Sequence, residues 1–171
     1  MTRLCLIVLA ATGLALSPTR AQTNAGAEAL LAYDCGSAEK ADAFRSASIA
    51  LGGDAERAFV AALRDGAPSE MRAAEEERLA SMYERLSRVL ASEGVPIAGV
   101  MEEGGPALPP REAFIADGLK RLDIRARENA VRGLGAVGGA GAAAEIRKAA
   151  ERDADLRLLA DAALKEMSER Q

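Results

Sequence analysis

Histidine and tryptophan are absent from this 171-residue chain, and aromatic residues make up only 3% of it. Without histidine, the commonest general base and metal ligand is missing, and a cysteine nucleophile would lack an imidazole partner. Positive charge is not in excess either. The formal net charge of −4 disfavours nucleic acid and anionic membrane surfaces, both of which need a basic face. Valine, isoleucine and threonine are sparse, and no alternating run of them marks a strand. Alanine dominates the apolar fraction instead, and small side chains let helices approach closely.

The first residues, MTRLCLIVLAATGLALSPTRAQT, read as a secretory signal peptide. Arg3 supplies the positive start, Leu4 to Leu16 the apolar run, and Thr19-Arg20-Ala21 a small-x-small cleavage site. The apolar run is too short to cross a bilayer as a stable helix, so an N-terminal membrane anchor is the weaker alternative. A lipid anchor does not fit. Cys5 precedes the apolar run, and Cys35 follows Tyr33-Asp34 where lipoprotein signals carry small residues.

Cleavage after Ala21 removes Arg3 and Arg20 and takes the net charge from −4 to −6. Cys35 is then the only cysteine left, so no internal disulfide forms. It serves either as a small apolar residue in the first helical hairpin or as an intermolecular thiol, the basis of a disulfide-linked homodimer. Arginine greatly outnumbers lysine beside abundant alanine and glycine, which suggests a GC-rich bacterial genome. The expected destination is the periplasm or the extracellular medium.

Helical spacing recurs along the rest. The expected organisation is a signal peptide over 1–21, an N-terminal helical region over 22–94 with room for degenerate repeats, a Gly/Pro linker over 95–110, and repeats over 111–171. Helices are expected over Ala27 to Asp34 and Ala38 to Leu51, and from an Asp54 N-cap to Arg64. A longer one is expected over about Ser69 to Glu93, with Met71, Ala74, Leu79, Met82, Leu86, Val89 and Leu90 on one side. Beyond the linker the pattern predicts Arg111 to about Arg121, a helix from Asp123 to the glycines at 138–141, a third to Arg152, and a fourth from Asp155 to Ser168.

Two of these stretches match at an offset of 30 residues. DIRARENAVRGLGAV over 123–137 places Asp123 on Asp153, Arg127 on Arg157, Ala130 on Ala160, Leu134 on Leu164 and Val137 on Met167. A fixed period in this range is the signature of stacked helical repeats. The run Ala126 to Gly138 resembles the second helix of HEAT-like repeats of the phycobilisome-lyase type, roughly V-R-x-x-A-x-x-A-L-G-x-I-G after an Asp. Leu156 to Met167 follows it again, departing at Lys165, where the family often has Gly. The resemblance covers about 111–168, with a fainter copy at Met71-Arg72 and Leu79.

The fold expected is therefore all-α, a short α-solenoid of HEAT-like helical hairpins with no β-sheet. In the resembling family, the recurring Asp and Arg form a ladder between neighbouring repeats. This assigns a structural role to Asp123, Arg127, Asp153 and Arg157. A ladder would make Arg127→Ala costlier than Arg132→Ala. The resemblance also implies a concave face lined by each second helix, where Glu128, Arg132, Asp161 and Lys165 would meet a protein partner of mixed charge.

Catalytic motifs fare poorly. Gly133-Leu134-Gly135-Ala136-Val137-Gly138 spells the dinucleotide fingerprint, but a charged helical stretch precedes it where a strand is required. Asp153 and Asp155 lack the glycine of a calcium loop. No cofactor, metal or catalytic residue is expected. The leading functional expectation is a non-catalytic, exported interaction or scaffold module. The alternatives are a bilin-lyase-like enzyme, which the resemblance allows, and a small-ligand-binding helical protein.

Overall fold

A computed structural model describes residues 20–92 and 108–170, with side chains from residue 25 onward. Residues 1–19, which carry most of the expected leader, and most of the expected 95–110 linker lie outside the described residues. The chain is all-α, with no strand element among the described residues. The helices are α1 (Arg20–Leu31), α2 (Ala38–Leu51), α3 (Gly53–Asp65), α4 (Ser69–Ser92), α5 (Arg111–Val137), α6 (Ala140–Arg152) and α7 (Arg157–Glu169). A short 3₁₀ turn, Ala154–Leu156, leads into α7.

Local chemistry sets several ends. Ser37 caps α2 by accepting a hydrogen bond from the Lys40 N–H at 3.3 Å. Gly52 is the single residue between α2 and α3, and its φ of +55° is left-handed. Its N–H closes α2 on the Ser48 carbonyl, and its own carbonyl accepts from Glu56 to open α3. The expected Asp54 cap is therefore displaced. Asp54 lies in the first turn of α3 and pairs with Arg57.

Two further expectations change. The break expected near Asp123 is absent, because α5 runs unbroken through it for 27 residues. The buried face continues across the position as Ile115, Gly118, Leu122, Ala126 and Ala130, all at helical spacing. A mid-helix aspartate costs well under about 1 kcal/mol in propensity, and this one gains outside partners described below. On α4, burial is confined to Leu79 and Tyr83, while Leu86 and Val89 are exposed. The cause is packing: among the described helices α5 is the main neighbour of α4, and Leu86 and Val89 are left outside that contact.

α5 is the centre of the arrangement and packs against α1, α2, α3, α4, α6 and α7. In a linear stack each unit would meet only its neighbours. Here one helix meets all the others, so the described helices form a bundle around α5. The burial pattern matches the 30-residue correspondence only in part. Ala126 and Leu156, and Ala130 and Ala160, are buried in both copies, while Leu134 is fully buried and Leu164 only half-buried.

The fingerprint-like glycines are packing positions. A Cβ on Gly133 would come within 2.1 Å of the Phe59 ring, which is fully buried against α5. One on Gly135 would meet the Ala163 Cβ of α7 at 3.0 Å. Gly138 follows the last residue of α5 and closes it on the Leu134 carbonyl at 2.8 Å. On α5's other side, Leu79 of α4 occupies the space over Gly118.

Gly133→Ala would gain about 0.5–1 kcal/mol of helix propensity but must displace Phe59. We expect the overlap to win, with a net loss of about 1–3 kcal/mol in denaturant unfolding. Gly141→Ala, where the surrounding space is open, should show no loss. Equal effects at the two glycines would refute the close-packing account.

Candidate functional site

The chain leaves α1 through Ala32 to Gly36 and turns into α2 over the C-terminal half of α5. Asn129 of α5 faces this turn and is 1% exposed. Its amide nitrogen donates to the carbonyls of Leu30 at 3.2 Å, Leu31 at 3.1 Å and Tyr33 at 2.8 Å. The Leu30 carbonyl also accepts the Tyr33 N–H at 3.1 Å, whereas those of Leu31 and Tyr33 lie where the chain leaves α1 and helical partners run out. Two amide hydrogens serve three acceptors, so one is shared. The side-chain oxygen accepts from Arg132 Nη1 at 3.1 Å and from Cys35 Sγ at 3.6 Å.

Cys35 is thus a half-buried free thiol held against the core. Burial pushes its pKa up, and the Arg132 guanidinium opposes this only in part, with Asp34 and Glu128 adding to the rise. The group stays a protonated thiol at neutral pH, unlike a nucleophile poised as thiolate.

Beside this thiol opens a cleft of about 190 Å³ between α2, α5 and α7. Its walls are Ala41 and Phe44 of α2 and Leu159, Ala162 and Ala163 of α7. Its rim carries Arg132, Arg45 and Glu166. Arg45 bridges from α2 to α7 by donating to Glu166 Oε1 through Nε at 2.9 Å and Nη2 at 2.6 Å. The apolar wall of α7 lines up because Leu159, Ala162, Ala163 and Glu166 share one helical face.

The residues expected to form a ladder do not pair with one another among the described residues. Asp123 accepts the Ala67 N–H at 3.0 Å and binds Arg72, so it fastens the α3–α4 turn to α5. That turn contains Gly66, whose φ of +83° requires a glycine-like conformation. Asp153 accepts the Asp155 N–H at 3.0 Å and opens the 3₁₀ turn. Arg157 donates to the Ala150 carbonyl at 3.5 Å. Arg127 makes no ion pair among the described residues, whereas Arg132 holds Asn129 and Glu128. On these contacts Arg132→Ala, not Arg127→Ala, is the substitution that removes hydrogen bonds among the described residues.

The expected partner row also divides. Glu128 and Arg132 pair at 3.5 Å near the cleft. Asp161 and Lys165 lie on the outward face of α7, beside Leu158, which is 84% exposed. The row fails to form because α7 turns its 159–163–166 face to α5, not its 161–165 face. Asn129 was missed in the sequence. Its signal was a polar residue on an otherwise apolar stripe, opposite Leu159 in the second copy.

Among the described residues, no group of three or more Asp, Glu or Cys side chains is placed to hold a metal ion, and no helix is long and apolar enough to cross a membrane. No protein-family model matches this chain, and no curated protein or solved structure matches it.

Asn129→Ala would strand the Leu31 and Tyr33 carbonyls, and we expect a loss of about 1–3 kcal/mol in denaturant unfolding. An unchanged midpoint would show that the turn satisfies itself without the amide. A second expectation concerns Glu145 of α6. Hydrogen bonds from Arg64 and then Lys148 hold its carboxyl down from the ordinary 4.5 to about 2. Its folded pKa is depressed, so its stabilising contribution is present above pH 4.5 and fades as pH falls towards about 2. The melting difference between wild type and Glu145→Gln should therefore shrink across that window. A difference independent of pH would disprove the pairing.

Proposed function

We propose that this protein is an exported, non-catalytic binding module whose polypeptide partner seats an apolar side chain in the α2–α5–α7 cleft. The observation that carries the reading is the cleft itself, with apolar walls and a charged rim. Small-molecule sites commonly enclose about 300–1,000 Å³. At about 190 Å³ the cleft suits one side chain better than a substrate or chromophore. A buried apolar anchor ringed by polar contacts is the usual anatomy of a protein interface. The rim offers Arg45 and Arg132 beside Glu166 and Glu128, so a partner segment with residues of both signs flanking its anchor complements it. The resemblance to HEAT-like repeats supports the same class of role. The leader-like first residues support export to the periplasm or medium, where the partner would reside.

The decisive experiment places a photo-crosslinking residue at Ala41 in the native host and maps the crosslink on the partner. The expected product joins Ala41 to a segment with an apolar side chain. Ala162→Trp, which fills the cleft, should cut its yield at least tenfold while leaving the circular dichroism spectrum unchanged. Asp161→Lys, on the outward face, should not. Undiminished crosslinking in Ala162→Trp would overturn the assignment. A purified protein carrying a visible-absorbing chromophore would replace it with the bilin-enzyme alternative.

A further inference from the structure

A separate cleft lies on the opposite flank of α5, where α3, α5 and α6 meet. Its volume is about 210 Å³, and three guanidiniums line it: Arg64, Arg127 and Arg152, each from a different helix. One carboxylate, Asp153, stands with them. The floor is Leu63, Ala149 and Leu156, all buried. We infer that this junction binds a small oxyanion, a carboxylate or phosphate group, through Arg127 and Arg152.

The charges around this cleft differ in how far each is already engaged. Arg64 is taken by Glu145, which accepts from its Nε at 3.0 Å and lies 3.0 Å from its Nη2. Glu145 also takes Lys148 at 3.2 Å. Arg152 is steered into place by neutral acceptors, the Lys148 carbonyl at 3.3 Å and the Leu63 carbonyl at 3.5 Å. Its positive charge is therefore oriented but not balanced by an ion pair among the described residues. Asp153 spends one oxygen on the start of the 3₁₀ turn. Arg127 is half-buried and pairs with nothing among the described residues. Two guanidiniums thus face one partly engaged carboxylate, with Glu151 at the outer edge of the adjoining surface.

Arg64 and Arg152 are exposed and Arg127 half-buried, so water screens part of their repulsion, and the apolar floor beside them weakens that screening. An oxyanion answers Arg127 and Arg152 together. The planar guanidinium fork of Arg127 meets a carboxylate or phosphate through two parallel hydrogen bonds, and Arg152, whose Nε and Nη2 already donate to carbonyls, adds its charge and its remaining Nη1 donors. The small volume admits such a group and excludes a nucleotide. This site is independent of the α2–α5–α7 cleft, and either can fail without the other.

The test is a titration of the ¹⁵N-labelled protein with inorganic phosphate, and separately with acetate, each against sodium chloride at matched ionic strength. We expect saturable shifts of the Arg127 and Arg152 Nε–H signals with at least one of the two anions. The arm that saturates at lower concentration identifies the group as phosphate or carboxylate. Arg127→Gln should raise the apparent Kd at least tenfold, and the exposed Arg147→Gln should leave it unchanged. Should Arg127→Gln fail to fold, Arg127→Lys keeps the charge, loses the fork, and must still weaken binding. Identical non-saturating shifts with phosphate, acetate and chloride would overturn the site, as would wild-type affinity in the Arg127 variant.

Discussion

Close approach to α5 is the constraint on which the rest depends. A helix that touches six others must offer small residues on several faces at once, or its neighbours cannot reach its backbone. Gly118, Ala126, Ala130, Gly133 and Gly135 provide this. Leu79 settles over Gly118, Phe59 over Gly133 and Ala163 over Gly135. The first two set a large side chain of one helix into a gap in another, and the third brings two small residues together, which is how a core poor in aromatics reaches tight packing. Phe59 also meets Phe44 at a ring separation of 6.0 Å, and Phe44 meets Tyr33 at 6.1 Å. The few aromatics described on this side are thus concentrated along one line across the α1–α2 turn, α2 and α3.

Apart from the gaps at Gly118, Gly133 and Gly135, apolar burial is not directional and would tolerate more than one register of helices around α5. Polar anchors select one. Asn129 fixes the end of α1, and Asp123 fixes the α3–α4 turn. Arg170, just past α7, donates to the Gly135 and Ala136 carbonyls at the end of α5. All three anchors join a side chain to backbone distant in sequence and engage groups that helix ends or turns leave without partners. A slip of one residue along α5 would break them together, whereas the alanines would repack with little loss.

Much of this was legible in the sequence because helical periodicity is a local property. The all-α class, the bounds of α2 and α4 and the Asp153 turn all follow from spacing and punctuation. What escaped was set by contacts across the fold. An aspartate between two amphipathic stretches resembles a helix start, and nothing local shows that Ala67 and Arg72 will answer its carboxylate from outside. The same holds for the glycines at 133 and 135. Their string resembles a phosphate-binding turn or a helix end, and only Phe59 and Ala163, 74 and 28 residues away in sequence, explain them as mid-helix gaps. Asn129 carried a visible clue, since Leu159 stands at its counterpart. The clue marked the position as different without saying that three carbonyls would meet there.

The two clefts show why net charge describes this protein poorly. A chain with formal charge −4 disfavours anionic partners in its long-range field. Yet field and site act over different distances, since exposed charges are screened beyond about 8–10 Å. Within that range the arrangement of individual arginines decides. Arg127 and Arg132 stand five residues apart on α5, a rotation of about 140° at 3.6 residues per turn. One therefore faces α3 and α6 and the other faces α2 and α7. Arg132 is engaged by Asn129 and Glu128, so it helps shape a cleft whose walls are apolar. Arg127 has no such partners among the described residues and is left with its charge on offer. The same residue type on one rigid helix thus serves packing on one flank and anion affinity on the other, and the difference lies in the neighbours each was given.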